Sequence, residues 1–375
     1  MNAVTDTDAM IAMRSCIQKV ATGPEYSKDL SFDEAHQAMK LILEEKADPV
    51  QIGILLIALR MKRETDEENK GVLQAIIDAS NLVTAEVDEL VDVADPYDGY
   101  TRGVPASPFL PAVLATCGVP AVSHGLDTVG PKFGITHHKV LKAAGVNVAL
   151  SPNEAAKHIG DPDIGWAYID QSAYCPPLHD LISLRQRMVK RQVITTAEVL
   201  IGPVRARNRT HLYTGYVHKA YPPIYADLAR HAGFDSMLLA RGVEGGLIPS
   251  LQQPARVWYY YDKGEETFLE VNPKSIGIEA AARAVPIPRD VPGAREKGDK
   301  IATAIDADAV AAVAAEKGIA ALKGTQGGTY DSLVYAGALV LNHLQRYDSL
   351  ASAADAVRQA LDSGAALAHF EAATR

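Results

Sequence analysis

The sequence predicts an α/β protein in which a small all-α domain is followed by a large α/β domain with a mainly parallel central sheet. The first ninety or so residues carry helix start signals without strand-like alternation. From Glu89 onward, short apolar runs alternate with helical stretches of about ten to fifteen residues, a pattern typical of a parallel sheet covered by helices. The length of 375 residues accommodates two domains at roughly 150 residues each.

Composition and charge exclude several classes of protein. With 47% hydrophobic and 22% charged residues the chain is typical of globular proteins, and its net charge of −9 argues against a wholly basic surface that coats nucleic acid. Cys16, Cys117 and Cys175 match neither a zinc spacing nor a disulfide framework. The N-terminus is acidic where a signal peptide is positive, and the longest apolar run, Ile52–Leu59, is far shorter than the roughly 20 residues of a membrane span. We therefore expect a cytoplasmic protein with no membrane partner.

Helix start signals define the first domain. Capping boxes at 31–34 and 65–68 place a serine or threonine three residues before a glutamate, so that each side chain satisfies a free backbone amide of the other. Between them, Asp48 followed by Pro49 is a favourable N-cap and first helical position. Each signal predicts a helix that begins there.

Apolar runs bounded by glycine, proline or aspartate predict the strands of the second domain. The candidates are Leu90–Ala94, Pro120–Ser123, Asn147–Leu150, Gly165–Ile169, Leu212–Val217, Ser236–Ala240 and Arg256–Tyr261. The last of these and Thr267–Val271 flank a Lys-Gly pair and are predicted to form a hairpin. Alanine-rich helices are expected from about Asp331, and the proline- and glycine-rich segment 286–299 is predicted to be a surface loop.

Ligands of open α/β sheets bind beyond the carboxyl ends of the strands, so the loops after the strands are the candidate sites. Segment 95–103, followed by Ser107, can present backbone amides to a phosphate, although its aspartates repel anions. The pair His124-Gly125 can place an imidazole against a ligand, Glu244 is the carboxylate of segment 241–246, and Gly327-Gly328 precedes a helix. For each loop the alternative is an ordinary structural role.

Charge is concentrated in residues 184–220, which we call the basic segment. It has a net charge of +7, so the rest of the chain carries −16. Such a segment could hold the phosphates of a small ligand or of a nucleic acid. Alternatively, it is a solvated face paired with the surrounding acids.

Three stretches of the chain resemble the anthranilate phosphoribosyltransferases, the TrpD-like members of the nucleoside phosphorylase and phosphoribosyltransferase superfamily. They are DPVQIGILLIALRMKRETDEE, VSHGLDTVGPKFG, and GTQGGTYDSLVYAGALVLNHL with DSGAALAHFE. The resemblance covers nearly the whole chain. It implies a small α domain (1–88 plus about 163–192), a large α/β domain (89–162 plus 193–375), and a homodimer formed through the α domains.

The family's functional motifs are altered in this chain. The family's GTGGD loop falls on 95–99, so most of the glycines that approach the diphosphate are absent. Ser107 matches a metal-contacting serine of the family. The family's KHGN motif falls on 123–126, where His124 and Gly125 are kept. Arg185 falls on the arginine that holds the anthranilate carboxylate. The Asp-Glu pair that binds magnesium appears as Leu247-Ile248. Mg²⁺ thus loses a principal anchor, and anthranilate transfer is not expected.

These departures are similar to those of a divergent second branch of TrpD-like proteins, in which binding of nucleic acid along a basic groove of the dimer is expected. Two function hypotheses follow. In the first, a transferase-family site binds a phosphorylated sugar or nucleotide-like ligand through Asp95, Tyr97, Asp98, Gly99, Ser107, His124, Gly125, Lys132 and Arg185. In the alternative, a non-catalytic protein binds single-stranded nucleic acid through Arg187, Lys190, Arg191, Arg205, Arg207 and Arg209.

Overall fold

Three of the first four helices begin where capping signals in the sequence predict. A computed structural model describes residues 3–292 and 305–374. Ser31 and Thr65 each form a capping box, and the Asp48 carboxylate accepts a hydrogen bond from the amide of Val50 at 2.8 Å. The predicted helix starts are thereby confirmed. The helices are α1 (Ala3–Val20), α2 (Phe32–Leu43), α3 (Pro49–Lys62) and α4 (Asp66–Asp78).

A seven-stranded sheet forms the centre of the large α/β part. The strands are β1 (Val83–Thr84), β2 (Glu89–Ala94), β3 (Ala121–Gly125), β4 (Trp166–Asp170), β5 (Val204–Arg205), β6 (Arg209–Gly215), β7 (Ser236–Ala240), β8 (Ala255–Tyr260) and β9 (Thr267–Val271). The spatial order is β4-β3-β2-β6-β7-β8-β9, and β1 pairs with β5 separately. Neighbours from β4 to β7 are parallel, whereas β8 is antiparallel to both β7 and β9. The mainly parallel sheet and the hairpin are confirmed.

Helices cover both faces of this sheet. Alternate residues of β2 face opposite ways, so Leu90 and Ala94 join one hydrophobic core while Val91 and Val93 join the other. Within the described ranges no helix combines the length and the hydrophobicity needed to cross a bilayer. The remaining helices are α5 (Leu110–Thr116), α6 (His137–Ala143), α7 (Pro152–Gly160), α8 (Gln171–Tyr174), α9 (Pro176–Asp180), α10 (Ile182–Met188), α11 (Ile194–Ala197), α12 (Tyr221–His231), α13 (Ala307–Leu322), α14 (Gly328–His343), α15 (Leu350–Asp362) and α16 (Ala365–Ala372).

One predicted strand is wrong. Residues 147–150 have no strand partner, because the Asn147 side chain accepts a hydrogen bond from the amide of Ala149 at 3.0 Å and holds a local turn before Ser151 caps α7. A short apolar run favours a strand, but here local hydrogen bonding by a polar side chain stabilises a different backbone conformation. Of the predicted loop 286–299, residues 286–292 are irregular, and the rest lies outside the described residues.

The helices after β4 return to the first four. Helix α10 packs on α3, and α11 packs on α4. Strand β4, at 166–170, belongs to the central sheet although it falls within the segment 163–192 assigned to the small domain. The exact domain boundaries stay a prediction.

The close packing of α2 on α4 can be tested by a substitution at Gly71. A Cβ atom at Gly71 would lie 2.5 Å from the carbonyl oxygen of Phe32 and 2.8 Å from the Cβ of Ala35. We expect Gly71→Ala to lower the free energy of unfolding by about 1–3 kcal/mol, because the helices would have to separate. Urea denaturation followed by circular dichroism measures this change.

Gly53→Ala is the matched control. Gly53 also lies inside a helix, but a Cβ atom there has no neighbour within 4 Å. Alanine should leave stability unchanged or raise it by up to about 1 kcal/mol through its helix propensity. Equal destabilisation by both substitutions would contradict the proposed packing constraint.

Candidate functional site

A cleft lies where the carboxyl ends of the parallel strands meet the helices α3, α11 and α12. It contains about 670 Å³ of space, part of which is open to solvent. Segments that follow β2, β6 and β7 form one side of it. The lining residues are Arg60, Pro96, Asp98, Arg191, Gln192, Thr195, Thr196, Val199, Thr214, Gly215, Tyr216, Val217, His218, Tyr221, Tyr225, Glu244 and Gly245.

Asp95, directly after β2, is the centre of a buried hydrogen-bond cluster. Its carboxylate accepts bonds from the Tyr100 hydroxyl (2.8 Å), His137 Nε2 (3.0 Å), the amide of Leu247 (3.1 Å) and the Ser107 hydroxyl. Burial alone would raise the pKa of Asp95, but the hydrogen bonds from His137, Ser107 and Tyr100 outweigh it and lower the pKa. Asp95 and Ser107 are therefore close together, as the ligand hypothesis requires, but both are bonded to the protein itself.

His124 and Tyr97 belong to a second buried cluster. His124 Nε2 lies 2.8 Å from an oxygen of Asp92 on the neighbouring strand, and its Nδ1 bonds to the hydroxyl of Tyr97. That hydroxyl lies 2.5 Å from the hydroxyl of Tyr174. Burial raises the pKa of both tyrosines well above the usual value, so they stay neutral. Both ring nitrogens of His124 are thus occupied by protein groups, beside Gly125 at the end of β3.

Arg185 forms a buried ion pair with Glu198. The two guanidinium nitrogens Nη1 and Nη2 lie 2.8 and 2.7 Å from the two carboxylate oxygens, and Gln171 adds a bond of 3.3 Å to the same carboxylate. Only 2% of Arg185 is exposed. The arginine that matches the family's acceptor-binding position is therefore satisfied by a carboxylate of this chain.

Asp98 is the ligand-site candidate that lines the cleft itself. Its carboxylate accepts bonds from Arg191 Nη2 (2.6 Å) and Nε (3.1 Å), and Lys132 Nζ lies 3.3 Å away. Lys132 also donates to the carbonyl oxygen of Gly99 at 2.8 Å. Gly99 has a φ of +71°, in the left-handed region that glycine tolerates.

The position matched to the family's magnesium-binding carboxylates is apolar. Leu247 is fully buried, and Ile248 lines a small separate cavity next to Ser107 and Tyr100. Aliphatic side chains offer no oxygen to a hard cation, so these residues do not fit Mg²⁺. Within the ranges that the structure describes, no group of three or more histidine, cysteine or acidic side chains is arranged to hold a metal ion.

Three cations of the basic segment lie far from the cleft. Arg205 donates to backbone carbonyls and lies over an aromatic ring, Arg207 pairs with Glu86, and Arg209 lies 3.2 Å from Asp262. Arg209 begins β6, whereas the cleft is at the other end of that seven-residue strand, about 20 Å away at roughly 3.3 Å per residue. The structure thus divides the basic segment between the two ends of the sheet.

The other three cations lie on the side of the cleft. Arg191 pairs with Asp98, while Arg187 and Lys190 are exposed at the end of α10. The six candidate nucleic-acid contacts therefore do not form one continuous patch on a single chain. The hypothesis that they bind nucleic acid stays a prediction.

Sequence reasoning missed several residues of the cleft. These residues belong to three helices, and the presence of each is explained by an ordinary structural role in its own helix. They are Arg60, Thr195, Tyr221 and Tyr225. Thr195 differs from the others because its buried hydroxyl has no hydrogen-bond partner among the described residues. A sequence signal did exist for Asp92, a charged residue within the apolar run of β2, which indicates a buried partner.

The Arg185–Glu198 pair generates a stability prediction. Because removal of one partner leaves the other charge buried and unpaired, Glu198→Leu should destabilise the fold by about 3–5 kcal/mol. Adding Arg185→Met should restore most of the lost stability, since an apolar pair needs no counter-charge. A double-mutant cycle from denaturant unfolding measures this coupling. Additive losses in the double variant would show that the two side chains do not depend on each other.

The chain is similar to curated relatives over most of its length. It is 30% identical over 267 residues to an uncharacterized protein of Aquifex aeolicus, covering 70% of this chain and 75% of that protein. It is 27% identical over 362 residues to an anthranilate phosphoribosyltransferase of Rhodopseudomonas palustris, covering 96% and 97% of the two chains.

Solved structures share the fold. Anthranilate phosphoribosyltransferase (TrpD) from Thermus thermophilus superposes with a TM-score of 0.74 at 18% identity, covering 97% of this chain and 98% of that one. The Saccharomyces cerevisiae enzyme in complex with PRPP and Mg has a TM-score of 0.74 at 17% identity, with 96% of each chain covered. At this level of identity the likeness establishes the architecture of helical domain and large α/β domain.

Family assignment rests on two matched regions. Residues 14–80 match the helical bundle domain of the glycosyl transferase family, and residues 103–367 match its a/b domain. The second region alone covers more than half of the chain. The chain therefore belongs to this glycosyl transferase family, as a TrpD-like relative of the anthranilate phosphoribosyltransferases.

Proposed function

We propose that this chain binds a phosphorylated sugar or nucleotide-like ligand in the cleft and does not transfer a phosphoribosyl group to anthranilate. Ligands of open α/β sheets occupy the carboxyl ends of the strands, which is where the cleft lies. The observation that carries the proposal is Arg60, a cation at the junction of the cleft with a second cavity.

That second cavity, which we call the side cavity, supplies the groups for a phosphate. It contains about 1060 Å³ and shares Arg60, Thr196, His218 and Tyr221 with the cleft. It adds Arg63, whose exposed guanidinium has no ion-pair partner within the described parts of the chain. Two guanidinium groups with a hydroxyl and an imidazole are a typical donor set for a phosphate. The carboxylate of Glu64 also lines the side cavity, 3.5 Å from Arg60 Nη1, and balances the charge of that one arginine.

The cleft itself suits a sugar or a planar base. Tyr216, Tyr221 and Tyr225 line it with aromatic surface and hydroxyl groups. The unpartnered hydroxyl of Thr195 lies in the same lining and can bond to a ligand hydroxyl. A ligand with a phosphate at Arg60 and a ring beside the tyrosines would use both cavities.

The reaction of the named relatives supports transferase chemistry but not their acceptor. In this chain Arg185 is held by Glu198, and Leu247-Ile248 stand at the metal position. If the site turns over, the bond from the anomeric carbon to the leaving group breaks as the acceptor bonds to that carbon. The protein would promote this step by positioning and by electrostatic stabilisation of the leaving group.

Isothermal titration calorimetry with ribose 5-phosphate and with adenosine monophosphate tests the proposal. We expect saturable binding to the wild-type protein, and a loss of at least about tenfold in affinity for Arg60→Ala, since a charge-assisted hydrogen bond is removed. Arg14→Ala is the control, because Arg14 is an exposed arginine of α1 outside both cavities.

Two outcomes would contradict the small-ligand proposal. The first is the absence of heat with any phosphorylated sugar or nucleotide, and the second is equal affinity of Arg60→Ala and wild type. Filter retention of single-stranded DNA that weakens steeply with salt, without small-ligand binding, would instead favour the nucleic-acid alternative.

We also infer a homodimer through the helical domain, as the family resemblance implies. Val50 and Ile54 on α3 are 68% and 44% exposed and line an apolar groove with Leu184 and Met188 of α10. Light scattering should give twice the chain mass for the wild type and the chain mass for Val50→Asp combined with Ile54→Asp. Phe268→Asp on β9 is the control. A monomeric wild type at micromolar concentration would disprove the dimer.

A further inference from the structure

We propose that the ligand of the cleft carries one phosphate group and not a diphosphate, because two carboxylates of the chain itself already occupy the anion-binding donors beyond β2. This inference rests on the proposed function and specifies its substrate class. Loops between a strand and a helix bind phosphate when their amides and nearby cations point to a common place. In this chain those amides and cations are bound to Glu244 and Asp98.

Glu244 occupies the amides of the loop. Its carboxylate accepts hydrogen bonds from the amide of Thr101 (2.7 Å), the hydroxyl of Thr101 (2.6 Å) and the amide of Arg102 (3.2 Å). Two successive amides and a hydroxyl that converge on one anion are the donor set that a phosphate oxygen would need. The side chain of Glu244 is only 5% exposed, so it holds this place in the interior.

Asp98 binds the two cations that lie next to this loop, Arg191 and Lys132. Its carboxylate is bound by Arg191 and lies 3.3 Å from the ammonium group of Lys132, and its side chain is 3% exposed. Lys132 is further engaged by the carbonyl oxygens of Gly99 (2.8 Å) and Glu244 (3.4 Å). The carboxylates of Asp98 and Glu244 together therefore balance the charges of Arg191 and Lys132.

The two ends of the site differ in charge as a result. Asp98, Arg191 and Glu244 all line the cleft, so a diphosphate placed there would meet two buried carboxylates. At the other end, Arg60 and Arg63 border the side cavity, where the guanidinium of Arg63 has no ion-pair partner among the described residues. Arg60 Nη1 lies 3.5 Å from the Glu64 carboxylate, which also lines the side cavity, so Arg63 supplies the positive charge that is free to bind one phosphate there.

The backbone of Glu244 offers a clean way to remove its carboxylate. Its φ of +59° lies in the left-handed region, which disfavours a residue with a side chain and suits glycine. Glu244→Gly therefore removes the anion and the backbone strain together, and Glu244→Gln removes only the charge. Asp262→Gly is the matched control, because Asp262 also has a positive φ of 44° but pairs with Arg209 at the far end of the sheet.

The experiment compares inorganic pyrophosphate and ribose 5-phosphate by calorimetry, without added metal, for the wild type and the three variants. We expect Glu244→Gly to bind pyrophosphate at least about tenfold more tightly than the wild type, with a smaller gain for Glu244→Gln and none for Asp262→Gly. Affinity for ribose 5-phosphate should rise less than affinity for pyrophosphate in the two Glu244 variants, because its phosphate lies at the far side of the cleft, and should stay unchanged in Asp262→Gly. Thermal unfolding confirms that each variant is folded.

The possible failures are distinguishable. Pyrophosphate affinities that are the same in the wild type and both Glu244 variants would overturn the inference, as would a wild type that binds pyrophosphate more tightly than ribose 5-phosphate. A wild type that binds no monophosphate would disprove the proposed function, and with it the assignment of substrate class. The gain of pyrophosphate binding in Glu244→Gly would still be measurable in that case.

Discussion

The carboxylate of Asp95 is the interaction on which the geometry of the cleft depends. It ends the central strand β2 and is bonded to groups that begin or precede three other elements: Ser107 before α5, His137 at the start of α6, and the amide of Leu247 after β7. Hydrogen bonds to a buried charge are stronger than neutral ones, and each costs stability when a partner is lost. A single side chain thus ties the segments after β2 and β7, which line the cleft, to the starts of α5 and α6.

Internal hydrogen bonds also involve the residues that the family resemblance matches to ligand-binding positions. The residues that match ligand-binding positions of the family are present in part, but in this chain they bond to Asp92, Glu198 and each other. Each internal bond replaces one that a bound ligand could have made, and the pairs stay buried. The architecture of this family member therefore does not determine its function. Its function depends on the groups that remain open to the cleft.

Sequence reasoning succeeded where the determining interactions are local. Capping at Ser31 and Thr65 involves residues three positions apart, and an apolar run such as 236–240 predicts a buried strand from its own residues. It failed at 147–150, where a side chain competes with the backbone. It pointed to the loops after β2 and β7, which line the cleft, but could not identify partners such as Glu198, because an ion pair between two short helices depends on how they pack. The charge of the basic segment was likewise misleading as a guide to a surface, since neighbours in sequence can lie at opposite ends of a strand.

The antiparallel hairpin at the edge of the sheet has a consequence for access. Because β8 runs opposite to β7, the chain leaves β7 and enters β8 at the same end of the sheet, so segment 241–254 crosses that end with both of its ends attached. Strand β6 contacts this segment at two residues. The Tyr213 hydroxyl donates a hydrogen bond to the carbonyl oxygen of Leu247, and the backbone of the segment lies directly against Gly215. This segment therefore rests on β6 and forms one wall of the cleft. Residues of α3 and α12 line the cleft as well, so its width depends on how closely these two helices pack against the sheet.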